Sequence, residues 1–413
     1  MRARSNIFFL FFIMGLLFSM TSGDLHAKSD IKPIQSKTME NITDKPLADY
    51  QQKLLELAFD AATIIPIKPH IKDRSRAQEK VVEATLKLGQ PRRADTYINK
   101  IDNWRRGIGY AHMAFYLAQK DHNVEAEYYL NLADQVAIVA EDWRRDRIKS
   151  RIAQTYVLLG NNEEADNYSA GLESAETGKM DQVKMMRFDE ETFNDHIVSL
   201  DAWVSRGDVD ITRNVLMAYA ELFNRFYHNK EYRSLSEEKI RTSWTKIPWF
   251  IRVEVLMDLS RYAMENDDQA RALEIINEAQ EFVETAYWRL EHRIAFMARL
   301  IKLRHSAGDQ EKAQKDAAAM LKLFMEEGAT IVNIYRAEAL CPLAEAYQAM
   351  GDKETALKVY KMAIKESLEN PNSRPRAEDL SLTYFSMALH EVEPDAELWG
   401  RIRQVNQELK SPW

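Results

Sequence analysis

Tryptophan and arginine recur together along this chain, and these pairs are its most suggestive binding chemistry. Trp104-Arg105-Arg106 and Trp143-Arg144-Arg145 each have the tryptophan seventeen positions before a turn residue, with looser repeats at Trp249 and Trp288-Arg289. An indole beside guanidinium groups can hold a carboxylate, a phosphate or a sugar ring. The alternative is that the tryptophan separates neighbouring helix pairs while the arginine stems cover it. We favour this packing interpretation, because packing roles recur in every repeat unit whereas ligand sites usually do not.

Patterns for catalysis or metal binding do not rise above background. His112 and His122 are ten positions apart and His292 and His305 are thirteen apart, so neither pair shares a helix face for zinc. The glycines occur singly, without a phosphate-binding loop. Cys341, the single cysteine, lies in a helical run and is interpreted as a small buried hydrophobe. We therefore predict no enzyme, no catalytic residue, no metal and no cofactor.

A regular spacing indicates the elements that position these side chains. A small or polar turn residue is followed five positions later by an alanine that opens a helical run. The six pairs are Gly89 and Ala94, Asp121 and Ala126, Gly160 and Ala165, Asp267 and Ala272, Gly308 and Ala313, and Gly351 and Ala356. A period of about 30 to 45 residues with helices on both sides of each turn predicts stacked helical hairpins. The fold class is therefore all-α.

The clearest units resemble a known repeat. Ala344, Tyr347, Gly351, Ala356, Tyr360 and Ala363 follow the small, aromatic, glycine, alanine, aromatic, alanine order of the tetratricopeptide repeat family, and Ala153, Tyr156, Gly160 and Ala165 match it in an earlier unit. Elsewhere the turn glycine becomes Asp121 or Asp267, and most units are longer than that repeat. The chain resembles a divergent tetratricopeptide-like protein over about two thirds of its mature length. The resemblance implies an α-α superhelix, a solenoid of antiparallel helix hairpins.

The same resemblance implies a concave groove lined by the first helix of each hairpin. The residues at matching positions are Arg76, Ile108, Phe115, Arg147, Gln154, Glu254, Arg261, Lys302, His305, Glu338, Glu345 and Gln348. Both signs of charge are present, which suits a peptide or a folded protein better than a polyanion. The alternative is that some of these side chains form salt bridges along a solvated inner wall, and the sequence favours neither interpretation.

The first residues are typical of an export signal. Arg2 and Arg4 precede the uncharged apolar run Ile7–Met20, and a polar stretch ends at Ala27. Fourteen helical residues rise about 21 Å, less than the hydrocarbon core of a bilayer. We expect cleavage after Ala27 and a periplasmic or secreted protein, with membrane attachment only if the segment stays uncleaved.

Net charge bears on the class of partner. The chain carries a formal charge of −8, and removal of Arg2, Arg4 and Asp24 with the signal makes it −9. An acidic chain is a poor match for the phosphate backbone of nucleic acid. We therefore expect no nucleic-acid partner.

The chain is expected to divide into six segments. These are a signal peptide (1–27), a flexible lead-in (28–46), N-terminal helical repeats (47–172), an irregular helical middle segment (173–247), C-terminal tetratricopeptide-like repeats (248–371) and capping helices (372–413). Within the middle segment, 173–189 is interpreted as a loop insertion. The stripe Tyr219, Leu222, Phe223 and Phe226 needs covering neighbours, which favours one continuous body over two hinged arrays.

Three functions remain open from the sequence. The first is an exported scaffold that holds another envelope or exported protein in its groove. The second is a polysaccharide-acting enzyme on a helical superhelix, and the third is a polysaccharide-binding protein that uses the tryptophan–arginine pairs. An enzyme should gather titratable groups in one deep pocket, whereas a scaffold should present dispersed contacts.

Overall fold

The fold is all-α in the computed structural model, which describes residues 39–173, 176, 190–205 and 209–409. Eighteen α-helices and three short 3-10 turns make up this part of the chain, and it contains no strand. The helices are α1 (Asp49–Ile64), α2 (Ile67–Lys87), α3 (Pro91–Ile98), α4 (Arg105–Ala118), α5 (Asn123–Val139), α6 (Asp142–Leu159), α7 (Asn162–Ser169), α8 (Phe193–Val204), α9 (Val209–Arg225), α10 (Lys230–Thr242), α11 (Trp249–Glu265), α12 (Gln269–Thr285), α13 (Leu290–Ser306), α14 (Gln310–Glu327), α15 (Asn333–Ala349), α16 (Lys353–Leu368), α17 (Ser373–Leu389) and α18 (Ala396–Glu408).

The predicted turn residues all adopt the left-handed backbone conformation that ends a helix. Their φ angles lie between +59° at Asp267 and +96° at Gly308. The residue that follows each turn residue donates its backbone amide to the carbonyl of the residue five positions before it. Asp352, which follows Gly351, donates in this way to the Tyr347 carbonyl at 3.0 Å. In four of the six turns that next residue also caps the following helix, as Asp352 does by accepting from the Thr355 amide. The alanines four positions further on are almost fully buried at the helix crossings.

Substitution at one turn separates backbone strain from packing. A Cβ atom at Gly351 would meet nothing within 4 Å, and its φ is +82°, so Gly351→Ala should lower the free energy of unfolding by about 1 to 2 kcal/mol through strain alone. Gly400, inside α18, also has open space but no left-handed angle. Gly400→Ala should therefore raise stability by up to about 1 kcal/mol. Urea denaturation measures both, and a loss of equal size at the two sites would contradict this explanation.

Alternate helices form an inner layer. Helices α2, α4 and α6 pack in series, as do α9, α11, α13, α15 and α17, and the last of these returns to α2. Helices α6 and α9 contribute residues to the same cavity. The intervening α3, α5, α7, α10, α12, α14 and α16 pack outside as the second helices of their hairpins. The solenoid therefore closes on itself instead of continuing as an open superhelix.

Helix α1 closes the array by packing along α17. Gln51 Nε2 donates to the Ala388 carbonyl at 2.9 Å, and Ser381 Oγ donates to the Ala58 carbonyl at 2.8 Å. The region 372–413, predicted to form capping helices over the last repeat, contains α17 and α18. Helix α17 packs on α15 and α16 of that repeat, and on α1 and α2 as well, so it is part of the inner layer.

Two boundary predictions also change. The lead-in was expected to be flexible up to residue 46, but its end packs against the α2–α3 turn, where Ile42 is 2% exposed and the Lys45 amide donates to the Gly89 carbonyl at 2.8 Å. The middle segment contains three helices, and Tyr219, Leu222 and Phe223 on α9 are fully buried. The main apolar core runs from Ile42 to Leu409, and a small separate cluster joins Ala153, Val157 and Ala165 on α6 and α7. The described residues belong to one compact unit.

Several predictions fall outside the described residues. The signal peptide, the first part of the lead-in and nearly all of the 173–189 insertion lie there. Among the described helices, none combines the length and the apolar character needed to cross a bilayer.

Candidate functional site

A cavity of about 640 Å³ lies between the inner helices, and we call it the inner cavity. Six helices contribute to its wall: α2, α4, α6, α9, α11 and α13. The charged and polar lining residues are Glu83, His112, Gln119, Arg147, Ser150, Arg151, Gln154, Glu176, Arg213, Asn214, Glu254, Asp258 and Arg299. Because helices far apart in sequence supply these side chains, the cavity exists only in the assembled ring.

Arg151 is the central group of the inner cavity. Its guanidinium lies 4.1 Å from the centre of the Phe115 ring, and it donates to Gln154 Oε1 at 2.7 Å and to His112 Nδ1 at 3.1 Å. It forms no ion pair with a carboxylate of the described chain, although Glu83 lies near enough to raise its pKa. Burial is the larger effect, and together with Arg147 it lowers the pKa of Arg151 to about 10. Arg151 therefore stays charged at neutral pH, and among the described residues it donates to a side-chain amide oxygen and to an imidazole nitrogen.

The other charges in the inner cavity are partly compensated. Arg213 pairs with Glu254 at 3.0 Å, and Arg147 pairs with the buried Glu79 at 2.7 Å. Arg299 is exposed and stacks near Phe296, without a carboxylate partner among the described residues. The lining thus mixes paired charges with the guanidinium groups of Arg151 and Arg299, which have no ion-pair partner in the part of the chain that the structure describes.

A second cavity of about 1240 Å³ adjoins the first, and we call it the mouth cavity. It lies where α2, α4 and the lead-in come together, with Thr43 to Leu47 along one side. Five residues line both cavities: Glu83, His112, Phe115, Gln119 and Arg151. Arg151 is therefore reachable from the mouth cavity.

Glu79, Glu83 and His112 are the one group in the described chain whose ligand atoms are close enough together to hold a metal ion. The group is a poor fit for a divalent cation. Glu79 already pairs with both Arg105 and Arg147, and Arg151 donates to His112 Nδ1. The guanidinium groups of Arg105, Arg147 and Arg151 already place positive charge around this group of residues, and they would repel a divalent cation.

A third cavity of about 460 Å³ lies between α2, α15 and α17, and we call it the rim cavity. Its wall includes Glu338, Glu378, Asp379, Tyr335 and Phe385. Asp379 is only 6% exposed, and among the described residues its Oδ2 atom has no hydrogen-bond partner. Burial, with the nearby charges of Glu378 and Glu338, raises the pKa of Asp379 to about 8. Near neutral pH this side chain is therefore largely a neutral carboxylic acid.

The predicted groove residues divide between these places. Ile108, Phe115, Arg147, Gln154 and Glu254 line the inner cavity, whereas Arg76 and Glu338 line the rim cavity. They are therefore not one continuous groove.

The remaining groove predictions lie at helix contacts. Arg261 pairs with Asp258 and Glu265 on its own helix.

Glu345 accepts from Ser386 and pairs with His390 at 3.2 Å. Burial raises the pKa of Glu345, but the bond and charge of His390 outweigh this and lower it overall. Lys302 adds to that lowering, and Gln348 donates to the Glu391 carbonyl at 3.4 Å. His305, on α13, is half-buried, and its Nδ1 atom has no hydrogen-bond partner within the described ranges.

The tryptophan–arginine pairs at Trp104 and Trp143 form one cluster. The Trp104 and Trp143 rings meet edge to face at 5.1 Å, where α4 and α6 begin. Arg105 and Arg147 lie beside the Trp104 ring, 4.8 and 5.7 Å from its centre, and both bind Glu79. Arg144 covers the Trp143 ring at 5.6 Å. This arrangement agrees with the packing interpretation for Trp104, while Trp143 remains 41% exposed.

Sequence reasoning missed Arg151 and Asp379. Arg151 lies four residues after Arg147, one helical turn further along the same face, so helical spacing alone could have added it. Asp379 follows Glu378 in a charged stretch that is typical of a solvent-exposed helix face. Its side chain is buried where α17 meets α2 and α15.

Comparison with known proteins assigns no family. No family model matches the sequence, and no curated protein matches it either. The crystal structure of Ton1535 from Thermococcus onnurineus NA1 is similar at 15% identity, over 81% of this chain and 98% of that one, with a TM-score of 0.22. A circular tandem repeat protein with novel repeat topology and enhanced subunit contact surfaces is similar at 15% identity, over 87% and 94%, with a TM-score of 0.26. Scores this low carry no argument about function.

Proposed function

We propose that this protein is an exported, tetratricopeptide-like binding protein without catalysis of its own, which holds a segment of another envelope or exported protein inside its ring. The observation that carries the proposal is Arg151, which stacks on Phe115, has no ion pair with a carboxylate of the described residues and lines both adjoining cavities. A guanidinium in such a place can bind a carboxylate through two hydrogen bonds. We expect the bound segment to present an acidic side chain or a carboxyl terminus.

Closure of the array restricts the shape of this partner. An extended peptide can lie along the groove of an open superhelix, whereas the inner cavity is bounded by helices from both halves of the chain. The lining of the cavity also includes the carboxylates of Glu83 and Asp258. A short segment or chain end with both signs of charge fits this lining better than a long uniform polyanion.

The proposal is tested by photo-crosslinking in cells. A photoreactive residue at Gln119, which is exposed and lines both cavities, should capture a specific protein through a short segment that contains a carboxylate. Arg151→Gln should reduce this capture by about tenfold or more, because a charge-assisted hydrogen bond is worth about 1.5 to 3 kcal/mol. Arg151→Lys keeps the charge and should retain part of it.

A photoreactive residue at Lys358, exposed on the outer layer, is the matched control. The proposal fails if both positions capture the same proteins, or if Arg151→Gln leaves capture at Gln119 unchanged. Thermal melting of each variant establishes that the ring is still folded.

The rim cavity favours a second candidate, a polysaccharide-acting enzyme. Asp379 holds a proton near neutral pH and Glu338 lies in the same wall, as a general acid and a general base require. Tyr335 and Phe385 would supply faces for sugar rings. Release of reducing ends from a polysaccharide, abolished by Asp379→Asn, would favour this candidate over a binding protein.

A further inference from the structure

His112 and Arg151 are bonded side chain to side chain where the inner cavity meets the mouth cavity. Arg151 Nε donates to His112 Nδ1 at 3.1 Å, and both residues line both cavities. Because a guanidinium offers only donors, this bond requires that Nδ1 carries no proton. The proton of a neutral His112 is therefore on Nε2, which lies 3.5 Å from Glu83 Oε1.

The bond to His112 occupies one edge of the Arg151 guanidinium. Nε and Nη2 form an edge that can bind a carboxylate through two parallel hydrogen bonds. On this edge Nε already donates to His112, whereas Nη2 has no hydrogen bond to the described chain. Nη1, on the other side, donates to Gln154 Oε1 at 2.7 Å. While His112 Nδ1 accepts from Nε, a carboxylate therefore cannot use the whole edge.

A second proton on His112 changes this edge. Both ring nitrogens of an imidazolium are donors, so Nδ1 can no longer accept from Arg151. Nε then becomes available to a carboxylate, and Nδ1 can donate to the same anion. The charge of the imidazolium adds to that of the guanidinium, so the protonated ring attracts the anion more strongly than the neutral ring does.

Other charges near His112 determine when it takes up a proton. Glu79 and Glu83 each place an oxygen within 4.8 Å of the imidazole, but Glu79 already pairs with two guanidinium groups. Without a ligand the neighbouring guanidinium groups oppose protonation, and a bound carboxylate offsets them. Helices α3 and α5 also pack on α4, but they line neither cavity. The charged residues on the cavity side of α4 are Glu79, Glu83 and Lys87 on α2, Arg105 on α4, Arg147 and Arg151 on α6, and Glu176 after α7.

We infer that His112 is a second binding residue of the Arg151 site, and that a carboxylate binds there together with a proton taken up by His112. The inference rests on the proposed function, since it requires that Arg151 receives a carboxylate. Because the bound state holds the extra proton, affinity for a carboxylate rises as the pH falls through the range in which histidines titrate. The cavity then holds its partner more tightly in acidic surroundings and releases it as the pH rises.

Acetate is the probe that tests this inference, and acetamide is its neutral counterpart. Residues 28–413, which contain the whole compact unit, are labelled with nitrogen-15, and the Arg151 Nε–H resonance follows binding. Acetate should shift this resonance, and its dissociation constant should fall by about tenfold from about pH 8 to about pH 5.5, because the imidazolium adds a charge beside the anion. Acetamide should bind more weakly, with no pH dependence.

His112→Asn removes the titrating ring and keeps a side-chain oxygen that can accept from Arg151. This variant should bind acetate with the same affinity at both pH values. The matched control is His292→Asn, which removes an exposed histidine of α13 outside both cavities and should keep the pH dependence of the parent. In the parent, the midpoint of the His112 ring titration should move to higher pH when acetate is present, which needs no variant.

Three results would overturn the inference. If acetate binds at Arg151 with equal affinity at both pH values, no proton is taken up, and the proposed cavity function stands without this coupling. If His112→Asn keeps the pH dependence of the parent, a group other than His112 takes up the proton. If acetate leaves the Arg151 resonance unchanged at both pH values, the coupling and the carboxylate-binding role of Arg151 fail together.

Discussion

Deletion of residues 39–65 should unfold α17 and open the ring. Helix α1 buries Leu54, Leu55 and Phe59 almost completely, and these three side chains alone contribute about 5 to 9 kcal/mol. That is comparable with the whole stability of a typical domain. Hydrogen–deuterium exchange should show amides of α17 losing their protection, while α11 to α14 keep theirs because their neighbours are unchanged.

A point variant tests the same contact without shortening the chain. Leu54→Ala with Leu55→Ala should lower the free energy of unfolding by about 4 kcal/mol or more and expose α17 to exchange first. Asp60→Ala, on the exposed face of α1, should have little effect. A synthetic α1 peptide should restore protection in the deletion variant. Unchanged exchange of α17 after deletion would show that closure does not depend on α1.

The free energy of unfolding should fall as the pH rises from about 4 to about 8, and Asp379→Asn should remove this fall. Burial raises the pKa of this carboxyl from 3.8 to about 8, so across this window the folded chain holds a proton that the unfolded chain has lost. Rising pH therefore favours unfolding, and the contribution is fully lost above pH 8. The amide stays neutral, so above pH 8 the variant should be more stable than the parent by about 1 to 3 kcal/mol.

Urea denaturation across this pH range provides the measurement. Glu378→Gln is the matched control, because it changes the neighbouring, more exposed carboxyl and leaves the burial of Asp379, the larger cause of its raised pKa, in place. The control should keep most of the decline. If Asp379→Asn has the same pH profile as the parent, the carboxyl is already ionised in the folded protein and cannot act as a general acid in the rim cavity.

Local structure was predictable because its causes lie within a few residues. A residue such as Gly351 ends a helix, Asp352 caps the next one, and Ala356 lets the two helices cross closely. The spacing of these three is set by backbone hydrogen bonding and not by distant neighbours. The apolar stripe of α9 was predictable for a similar reason, since helical period alone places Tyr219, Leu222 and Phe223 on one face.

The candidate sites were predicted only in part. A one-dimensional repeat assigns Phe115, Arg147 and Gln154 to the first helices of their hairpins, and all three line the inner cavity, but the repeat does not say which inner helices will share a cavity. It also treats Lys302 and Glu345 as groove residues, although Glu345 lies against α17.

By itself, the sequence determined that this protein is an all-α array of hairpins, with its helix ends and crossing points. The tertiary structure alone decided that the array closes, that Arg151 lies between two cavities and that Asp379 is buried. The physical reason is distance along the chain. The bond from Gln51 to Ala388 joins residues 337 positions apart, and no local pattern records whether the small rotation between successive hairpins will bring such residues together.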